Sequence, residues 1–243
     1  MTYQFKEYKN PPIKEAIFSI SFKVPLTPEQ IENFKNTDYV KIKFPIQEDK
    51  DELVINVIKK EESAANINQI VNKGYRLRNN DNLININATQ ISYHSINKYK
   101  GWDNVIVELK DLFSLLSEKN NTLSISQIST RYVNQIILPD SFKNIHEYIN
   151  LLPNIPKELN PLNNFFLQIN TSDSNLGLTG TITETILPQK STENNLTFLL
   201  DINVFKIMQN NSNDIWETFT CIRSFKNKLF ANCITSKTEA LFN

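Results

Sequence analysis

Polar and apolar residues alternate along several stretches of the chain, a pattern typical of β-strands with one buried face. Residues 15–24 show it first, with Phe18 apolar and Ser19 polar in a repeat of two. Residues 124–138 carry a similar alternation over a longer stretch, and we expect them to form a long central strand. Residues 176–187 alternate leucine and isoleucine with threonine, which predicts the second arm of a hairpin.

Other stretches repeat their apolar residues every three to four positions, as amphipathic helices do. A short helix begins at Pro28, because Thr27 can cap it and Gln30 completes a capping box. Two longer helices follow, and we predict Ser212 or Asn213 as the cap of the last one. Their apolar stripes are Val105, Leu109, Leu112 and Leu116 in the first, and Ile215, Phe219, Ile222, Leu229 and Cys233 in the last.

The segment between the short helix and the first long helix is predicted to consist of strands and turns. Residues 40–46 are expected to form a strand, and residues 75–78 and 83–96 a hairpin that turns at 79–82. Within the second arm of this hairpin, the apolar residues change from even to odd positions. One extra residue near Thr89 would restore the phase, so the pattern predicts a β-bulge there.

The order of the elements is similar in two halves of the chain, residues 1–122 and 123–243. Each half has a strand, a short helix, further strands and a long helix, and the first strand of each half ends before a proline, Pro25 or Pro139. We therefore expect one compact α+β unit that arose by internal duplication. Its sheet would be curved and mostly antiparallel, with the long helices packed on one face. The alternative is that unrelated α+β proteins share this order by chance.

Composition narrows the class of protein. The 243 residues include 26 basic and 26 acidic side chains, so no net charge attracts nucleic acid or an anionic membrane. Only 4 glycines are present, which disfavours a backbone loop wrapped around a phosphate group. The first residues are polar, and no run of about 18 apolar residues occurs. We expect a cytoplasmic protein without a membrane segment.

Cysteine and histidine positions indicate neither catalysis nor metal binding. Cys221 and Cys233 share a predicted helix and lie about 18 Å apart along its axis, too far for a disulfide. They are interpreted as thiols in a reducing compartment. The two histidines, His94 and His146, have no cysteine or carboxylate at ligand spacing. We therefore predict no metal site, no cofactor and no catalytic residue.

The predicted central strand carries the densest group of polar side chains, Arg131, Tyr132 and Asn134. Because side chains alternate along a strand, Tyr132 and Asn134 share one face and Arg131 lies on the other. A charged arginine among apolar residues needs a partner of opposite charge. That partner is either a carboxylate of the chain, with Glu15 and Asp201 as candidates, or an anionic ligand or protein carboxylate bound in a groove.

A second candidate is the aromatic turn that contains Tyr99 and Trp102. Trp102 can fix the start of the following helix to the core, or it can present an aromatic edge to a partner. On that helix, Glu108 and Asp111 are neighbours that face away from the leucine stripe, and we interpret them as solvated. The predicted binding residues are therefore Arg131, Tyr132, Asn134, Trp102, Tyr99 and Glu15.

Five short motifs are spread along the whole chain. They are Pro11-Pro12-Ile13-x-Glu15-Ala16, Tyr99-x-Gly101-Trp102, Arg131-Tyr132-x-Asn134, Leu200-Asp201-Ile202-x-Val204-Phe205 and Phe230-x-x-x-Ile234-Thr235-x-Lys237-x-x-x-Leu241-Phe242. In this order they resemble a sporadically distributed, functionally uncharacterised family of prokaryotic proteins of about this length. The chain departs from that pattern at Asn203, where the family has an acidic residue. The resemblance implies a cytosolic prokaryotic protein in mobile or defence-related gene neighbourhoods, and it implies no chemistry.

These observations favour a non-enzymatic binding module for an unknown protein partner or a small anionic ligand. A regulatory or nucleic-acid-binding protein that uses the duplicated sheet as a saddle is one alternative, which the zero net charge disfavours. A hydrolase whose carboxylate or histidine the sequence does not place is another. A homo-oligomer is compatible with the sequence.

Overall fold

A computed structural model describes residues 6–50, 52–58, 66–72, 74–118, 123–153, 164–187, 196–209 and 214–243. Its strands are β1 (Ile13–Phe22), β2 (Ile46–Asp49), β3 (Glu52–Ile58), β4 (Asn66–Asn72), β5 (Gly74–Arg78), β6 (Asn82–Asn87), β7 (Gln90–Ser95), β8 (Ile125–Ile137), β9 (Phe166–Asp173), β10 (Leu178–Ile186) and β11 (Thr197–Ile207). Its helices are α1 (Pro28–Lys35), α2 (Asp38–Lys43), α3 (Trp102–Glu118), α4 (Ile215–Cys233) and α5 (Ser236–Glu239), with short 3-10 turns at Ile145–Glu147 and Ala240–Phe242.

The fold is α+β, as the sequence predicts. Nine of these strands belong to one antiparallel sheet, and β3 pairs separately with β4. The chain divides into two compact units. Unit 1 comprises Met1–Phe18 and Gln127–Asn243, and unit 2 comprises Ser19–Ser126. The predicted duplicated halves, 1–122 and 123–243, concern repetition along the chain and stay a prediction.

Unit 1 consists of neighbouring antiparallel strands covered by α4. The hydrogen-bonded order is β8-β11-β10-β9, with the first residues of β1 beside β8. Every second residue of β10 is buried, and α4 packs on β10 and β11 through its predicted apolar stripe. Asp214 caps α4 by accepting a hydrogen bond from the Trp216 backbone. The caps predicted at Ser212 or Asn213 lie outside the described residues.

Gly180 marks the closest approach of α4 to β10. A Cβ atom at this position would lie 2.6 Å from Cδ1 of Leu229 and 3.2 Å from Cε1 of Phe225. Carbon atoms in van der Waals contact are about 3.5–4 Å apart, so only glycine permits this approach without a shift of the two side chains. The close packing shields the inward face of β10 from water.

Unit 2 confirms the helix predictions made from capping and apolar spacing. The hydroxyl of Thr27 accepts from the Gln30 backbone at 3.2 Å, and the Gln30 side chain accepts from the Thr27 backbone at 2.7 Å. In α3, Trp102 is the first residue and is buried. The buried stripe of α3 contains Val105, Leu109, Leu112 and Leu116.

The strand predicted at residues 40–46 is wrong, because residues 38–43 form α2. Thr37 caps this helix by accepting a hydrogen bond from the Val40 backbone. Asp38 in the first turn and lysines in the last turn suit the helix dipole. Local capping and charge therefore outweigh the strand preference of the isolated apolar residues.

The β-bulge predicted near Thr89 is also wrong. Residues 82–95 form two antiparallel strands, β6 and β7, instead of one long arm. The side-chain oxygen of Asn87 accepts from the backbones of Thr89 and Gln90, both at 2.9 Å, and so closes the turn between the strands. A bulge and a tight hairpin both shift the apolar phase by one residue, which explains the error.

Two further sequence expectations concern cysteines and membrane segments. Cys221 and Cys233 both lie in α4 as free thiols, and Cys233 is buried. Among the helices of the described residues, none combines the length and apolar character that a membrane crossing needs.

We predict that Gly180→Ala destabilises the protein by about 1–3 kcal/mol, because the added methyl group must displace Leu229 or Phe225. The free energy of unfolding, measured by denaturant titration, checks this. In the double variant Gly180→Ala/Leu229→Ala the clash with Leu229 is gone, so its destabilisation should be smaller than the sum of the two single effects. Strict additivity would show that α4 does not approach β10 as described.

Candidate functional site

Strand β8 presents its three polar candidates on two different faces. Tyr132 and Asn134 are 1% and 2% exposed, and they lie on the face that α4 covers. Arg131 lies on the opposite face, and about half of its side chain, 52%, is exposed. The three residues therefore do not form one site.

The guanidinium of Arg131 is bound by the carboxylate of Asp201. Its Nε lies 3.0 Å from Oδ1 and 2.9 Å from Oδ2, and its Nη2 also donates to Oδ2. Asp201 belongs to β11, diagonally across from Arg131, and its side chain is only 11% exposed. The hydrogen bonds that Arg131 donates to Asp201 raise the pKa of Arg131, and the charge of Glu15 on β1 adds to this. Of the two carboxylates considered from the sequence, Asp201 is the one in contact.

Polar side chains continue from Arg131 across the neighbouring strands of unit 1. In the register of the sheet, Arg131 is followed by Asn203, Thr181 and Asn170, and the next row contains Asp201, Thr183 and Gln168. The Thr181 hydroxyl donates to the Asn170 side chain at 2.9 Å, and the Gln168 amide donates to Thr183 at 3.3 Å. We call these seven residues the Arg131 face. They form two neighbouring rows of hydrogen-bonding groups on the side of these strands opposite α4.

Tyr132 and Asn134 are core residues of unit 1. The amide of Asn134 donates to the carbonyl oxygens of Leu200 at 3.0 Å and of Tyr132 at 3.2 Å. The Tyr132 ring packs edge-on against Phe18, with ring centroids 5.9 Å apart. The ammonium of Lys226, on α4, lies 3.9 Å from the Tyr132 ring centroid. Sequence reasoning did not identify Lys226, because its position becomes informative only once α4 is placed on the sheet.

Glu184 is a second buried titratable residue that sequence reasoning missed. It lies on the inward face of β10, fully buried, and neither carboxylate oxygen has a hydrogen-bond partner of normal geometry among the described residues. Its polar neighbour is the thiol of Cys233 in the last turn of α4. Burial raises the pKa of Glu184 to about 8 and also raises the pKa of Cys233. The signal was available, because residue 184 shares the parity of Ile182 and Ile186.

The aromatic candidates belong to unit 2. Trp102 is 8% exposed and starts α3, directly after Gly101, whose positive φ of 91° suits a glycine. Tyr99 is half-buried. The burial of Trp102 favours a role in fixing the start of α3 to the core over a role as an aromatic edge for a partner.

The prediction that Glu108 is solvated is wrong. Its side chain is 15% exposed, its Oε2 accepts from the Tyr93 hydroxyl at 3.1 Å, and its Oε1 lies 3.1 Å from Lys43 Nζ. Burial and the charge of Glu108 raise the pKa of Tyr93. Glu108 thus connects α3 to β7 and α2. The prediction failed because a residue beside the apolar stripe of a helix can still face a neighbouring strand.

The His94 ring nitrogen Nε2 lies 2.9 Å from the Ser92 hydroxyl and 3.0 Å from the Asn85 amide, so it takes part in a local polar contact on β6 and β7. Within the described ranges, no three His, Cys, Asp or Glu side chains converge as metal ligands.

No family model matches the chain, and no curated protein is significantly similar to it.

We predict that Glu184 makes stability fall as the pH rises. Its folded pKa of about 8 exceeds the ordinary value of 4.5, so the protonated form is favoured in the folded state. The contribution of protonated Glu184 to the free energy of unfolding is fully present below pH 4.5. It is lost as the pH rises through about 8, at up to roughly 1.4 kcal/mol per pH unit. Glu184→Gln should flatten the decline of the unfolding free energy between pH 5 and pH 8.

The matched control is Glu217→Gln, which makes the same substitution at an exposed glutamate in the first turn of α4. It should leave the slope of unfolding free energy against pH unchanged. Equal slopes for wild type and Glu184→Gln would contradict the assignment.

Proposed function

We propose that the protein is a non-enzymatic binding module, and that the Arg131 face takes a protein partner or a small anionic ligand. The observation that carries this proposal is a half-exposed guanidinium held in place by a nearly buried carboxylate. An exposed arginine normally loses side-chain entropy when it binds. Here Asp201 has already fixed the orientation, so less of that cost falls on the binding step.

Arg131 keeps donor capacity beyond its internal ion pair. Its Nε and Nη2 contact Asp201, and within the described part of the chain Nη1 donates to no other residue. A guanidinium has five N–H donors, so donors are left for an incoming carboxylate, phosphate or carbonyl group.

The surroundings of Arg131 favour a protein partner over a small anion. Asp201 cancels much of the guanidinium charge, and Glu15 adds a second negative charge nearby. Threonine, asparagine and glutamine side chains of the Arg131 face offer both donors and acceptors, as polar protein surfaces do. Half-buried Leu199 and Phe205 lie on the same side of β11 and add apolar area.

We also propose that the two halves of the chain are related by duplication. Its support is that α3 and α4 both follow a series of antiparallel strands and both have a tryptophan in their first turn, Trp102 and Trp216. A cytoplasmic prokaryotic protein in mobile or defence-related gene neighbourhoods fits the motif resemblance and belongs to the same proposal.

The test uses the photocrosslinking residue p-benzoylphenylalanine at Asn203, directly across the strand pair from Arg131. In cells that naturally contain the protein, we expect one discrete covalent adduct. The double variant Arg131→Ala/Asp201→Asn should abolish it. The second substitution is needed because Arg131→Ala alone would leave a nearly buried, unpaired carboxylate, which costs stability.

Arg78→Ala is the control, because Arg78 makes an exposed ion pair with Glu48 at 3.0 Å between strands of unit 2. It should keep the adduct. Titration with inorganic phosphate, followed by the thermal unfolding midpoint, tests the small-anion form of the proposal. If no adduct depends on Arg131 and phosphate gives no Arg131-dependent shift, the proposal is wrong.

A further inference from the structure

Strand β9 is the last strand in the hydrogen-bonded order of unit 1, and its outer edge has no partner strand among the described residues. It pairs with β10 alone, from Phe166 opposite Thr185 to Asp173 opposite Leu178. Unpaired N–H and C=O groups along an edge strand are a template for pairing with another strand, and charged residues, proline or short length normally prevent this. β9 has eight residues and no proline, and its only charged residue is Asp173 at its end.

Strand β2 in unit 2 shows an edge that is protected. Within the part of the chain that the structure describes, β2 pairs only with β5. It has four residues, and two of them are the adjacent carboxylates Glu48 and Asp49. Pairing of β2 with a second copy of itself would bring these charges together, which like-charge repulsion opposes. β9 carries no such protection.

The apolar side chains of β9 are incompletely covered. The register with β10 places Leu167 and Ile169 on the same face as the buried residues Ile182 and Glu184. The helix on that face, α4, packs on β10 and β11, and Leu167 and Ile169 are only half-buried. On the other face, Phe166 is 71% exposed. A strand added beside β9 would remove apolar surface of these side chains from water.

We propose that β9 pairs with β9 of a second copy of the chain, antiparallel across a twofold axis at Ile169. Antiparallel pairing of a strand with itself is self-complementary, as a twofold dimer requires. The chain has no net charge, so two copies do not repel each other at long range. Pairing over residues 166–172 gives about six to eight backbone hydrogen bonds, which is within the usual number for a protein interface.

The side chains of β9 determine the register of this pairing. With the axis at Ile169, this residue faces its own copy, and Gln168 faces Asn170 of the second copy. Both amides can donate and accept hydrogen bonds, so they suit each other across the strand pair. An axis at Asn170 would keep the same number of pairs, but it would set the charged Asp173 opposite the apolar Leu167. The cost of desolvating that carboxylate disfavours the shifted register.

The dimer has a consequence for the Arg131 face. A twofold axis perpendicular to the strands and to the sheet keeps each face of the sheet on its own side. The Arg131 faces of the two copies therefore lie on one side of a continuous sheet, where a partner with two matching sites gains from binding both. The dimer does not depend on the proposed function. Arg131→Ala/Asp201→Asn changes β8 and β11 only, so this variant should remain dimeric, and a monomeric wild type would leave the Arg131-dependent adduct in place.

Disulfide trapping of the full chain tests the position of the axis. Directly opposite residues of antiparallel strands have Cα atoms about 4.5 or 5.5 Å apart, within the range that a disulfide spans. In a Cys221→Ser background, Ile169→Cys should therefore give a disulfide-linked dimer under mild oxidation. Gln168→Cys alone should not crosslink, but it should do so when it is mixed with Asn170→Cys. Ile46→Cys, at an exposed position of β2, is the control for random collision and should not crosslink.

Sedimentation velocity at increasing protein concentration measures the association without a crosslink. We expect the wild type to shift from monomer to dimer. Gln168→Lys/Asn170→Lys places lysines opposite each other, and Gln168→Glu/Asn170→Glu does the same with carboxylates, so each variant alone should lose the dimer. An equal mixture of the two variants places lysine opposite glutamate and should restore it. Recovery on mixing cannot come from a folding defect of either variant.

Two results would overturn the proposal. The first is a wild type that is monomeric at every concentration. In that case, slow hydrogen exchange of the β9 amides would mean that another segment of the chain covers the edge, and fast exchange would mean that the edge is open to a different protein. The second is a dimer that Ile169→Cys does not trap and the paired lysines do not dissociate, because its interface would then lie elsewhere.

Discussion

The packing of α4 on β10 and β11 determines what the polar residues of unit 1 can do. Gly180 lets the helix come close enough for its apolar stripe to exclude water from the inward face of the strands. Polar groups on that face lose hydration, and a hydrogen bond or a change of protonation state lowers the cost of burying them. Asn134 donates hydrogen bonds to two backbone carbonyls, whereas burial raises the pKa of Glu184 and so favours its neutral form.

On the opposite side of the same strands, a charged side chain is stabilised by an ion pair and by water. Arg131 stays charged because Asp201 supplies the partner within the sheet and because half of the guanidinium side chain remains in water. An ion pair of this kind contributes little to stability, since solvent screens the exposed partner. Its main physical effect is to hold the guanidinium in one orientation beside the hydrogen-bonding groups of the Arg131 face. That effect suits recognition better than it suits folding.

The sequence predicted the elements whose pattern is both long and regular, such as β8, β10 and the buried stripes of α3 and α4. It failed where two different local structures produce the same sequence pattern. At Thr89, a hairpin turn and a β-bulge would each move the apolar residues from even to odd positions. It also named Asp201 as a partner for Arg131, but only the register between β8 and β11 brings the two together. The burial of Glu184 could be predicted from the sequence, because it alternates in step with Ile182 and Ile186. The contact of Lys226 could not be predicted, because it depends on a long side chain crossing from a helix to a strand.

Glu184 and Lys226 carry opposite charges when ionised, yet neither contributes to the pKa shift of the other. An ion pair between them would lower the pKa of the acid and raise that of the amine, and both shifts run the other way. Each group is therefore neutralised separately by its own desolvation. Burial therefore disfavours the charged form of each group. Because no ion pair offsets its burial, the charged form of Glu184 is disfavoured in the folded protein.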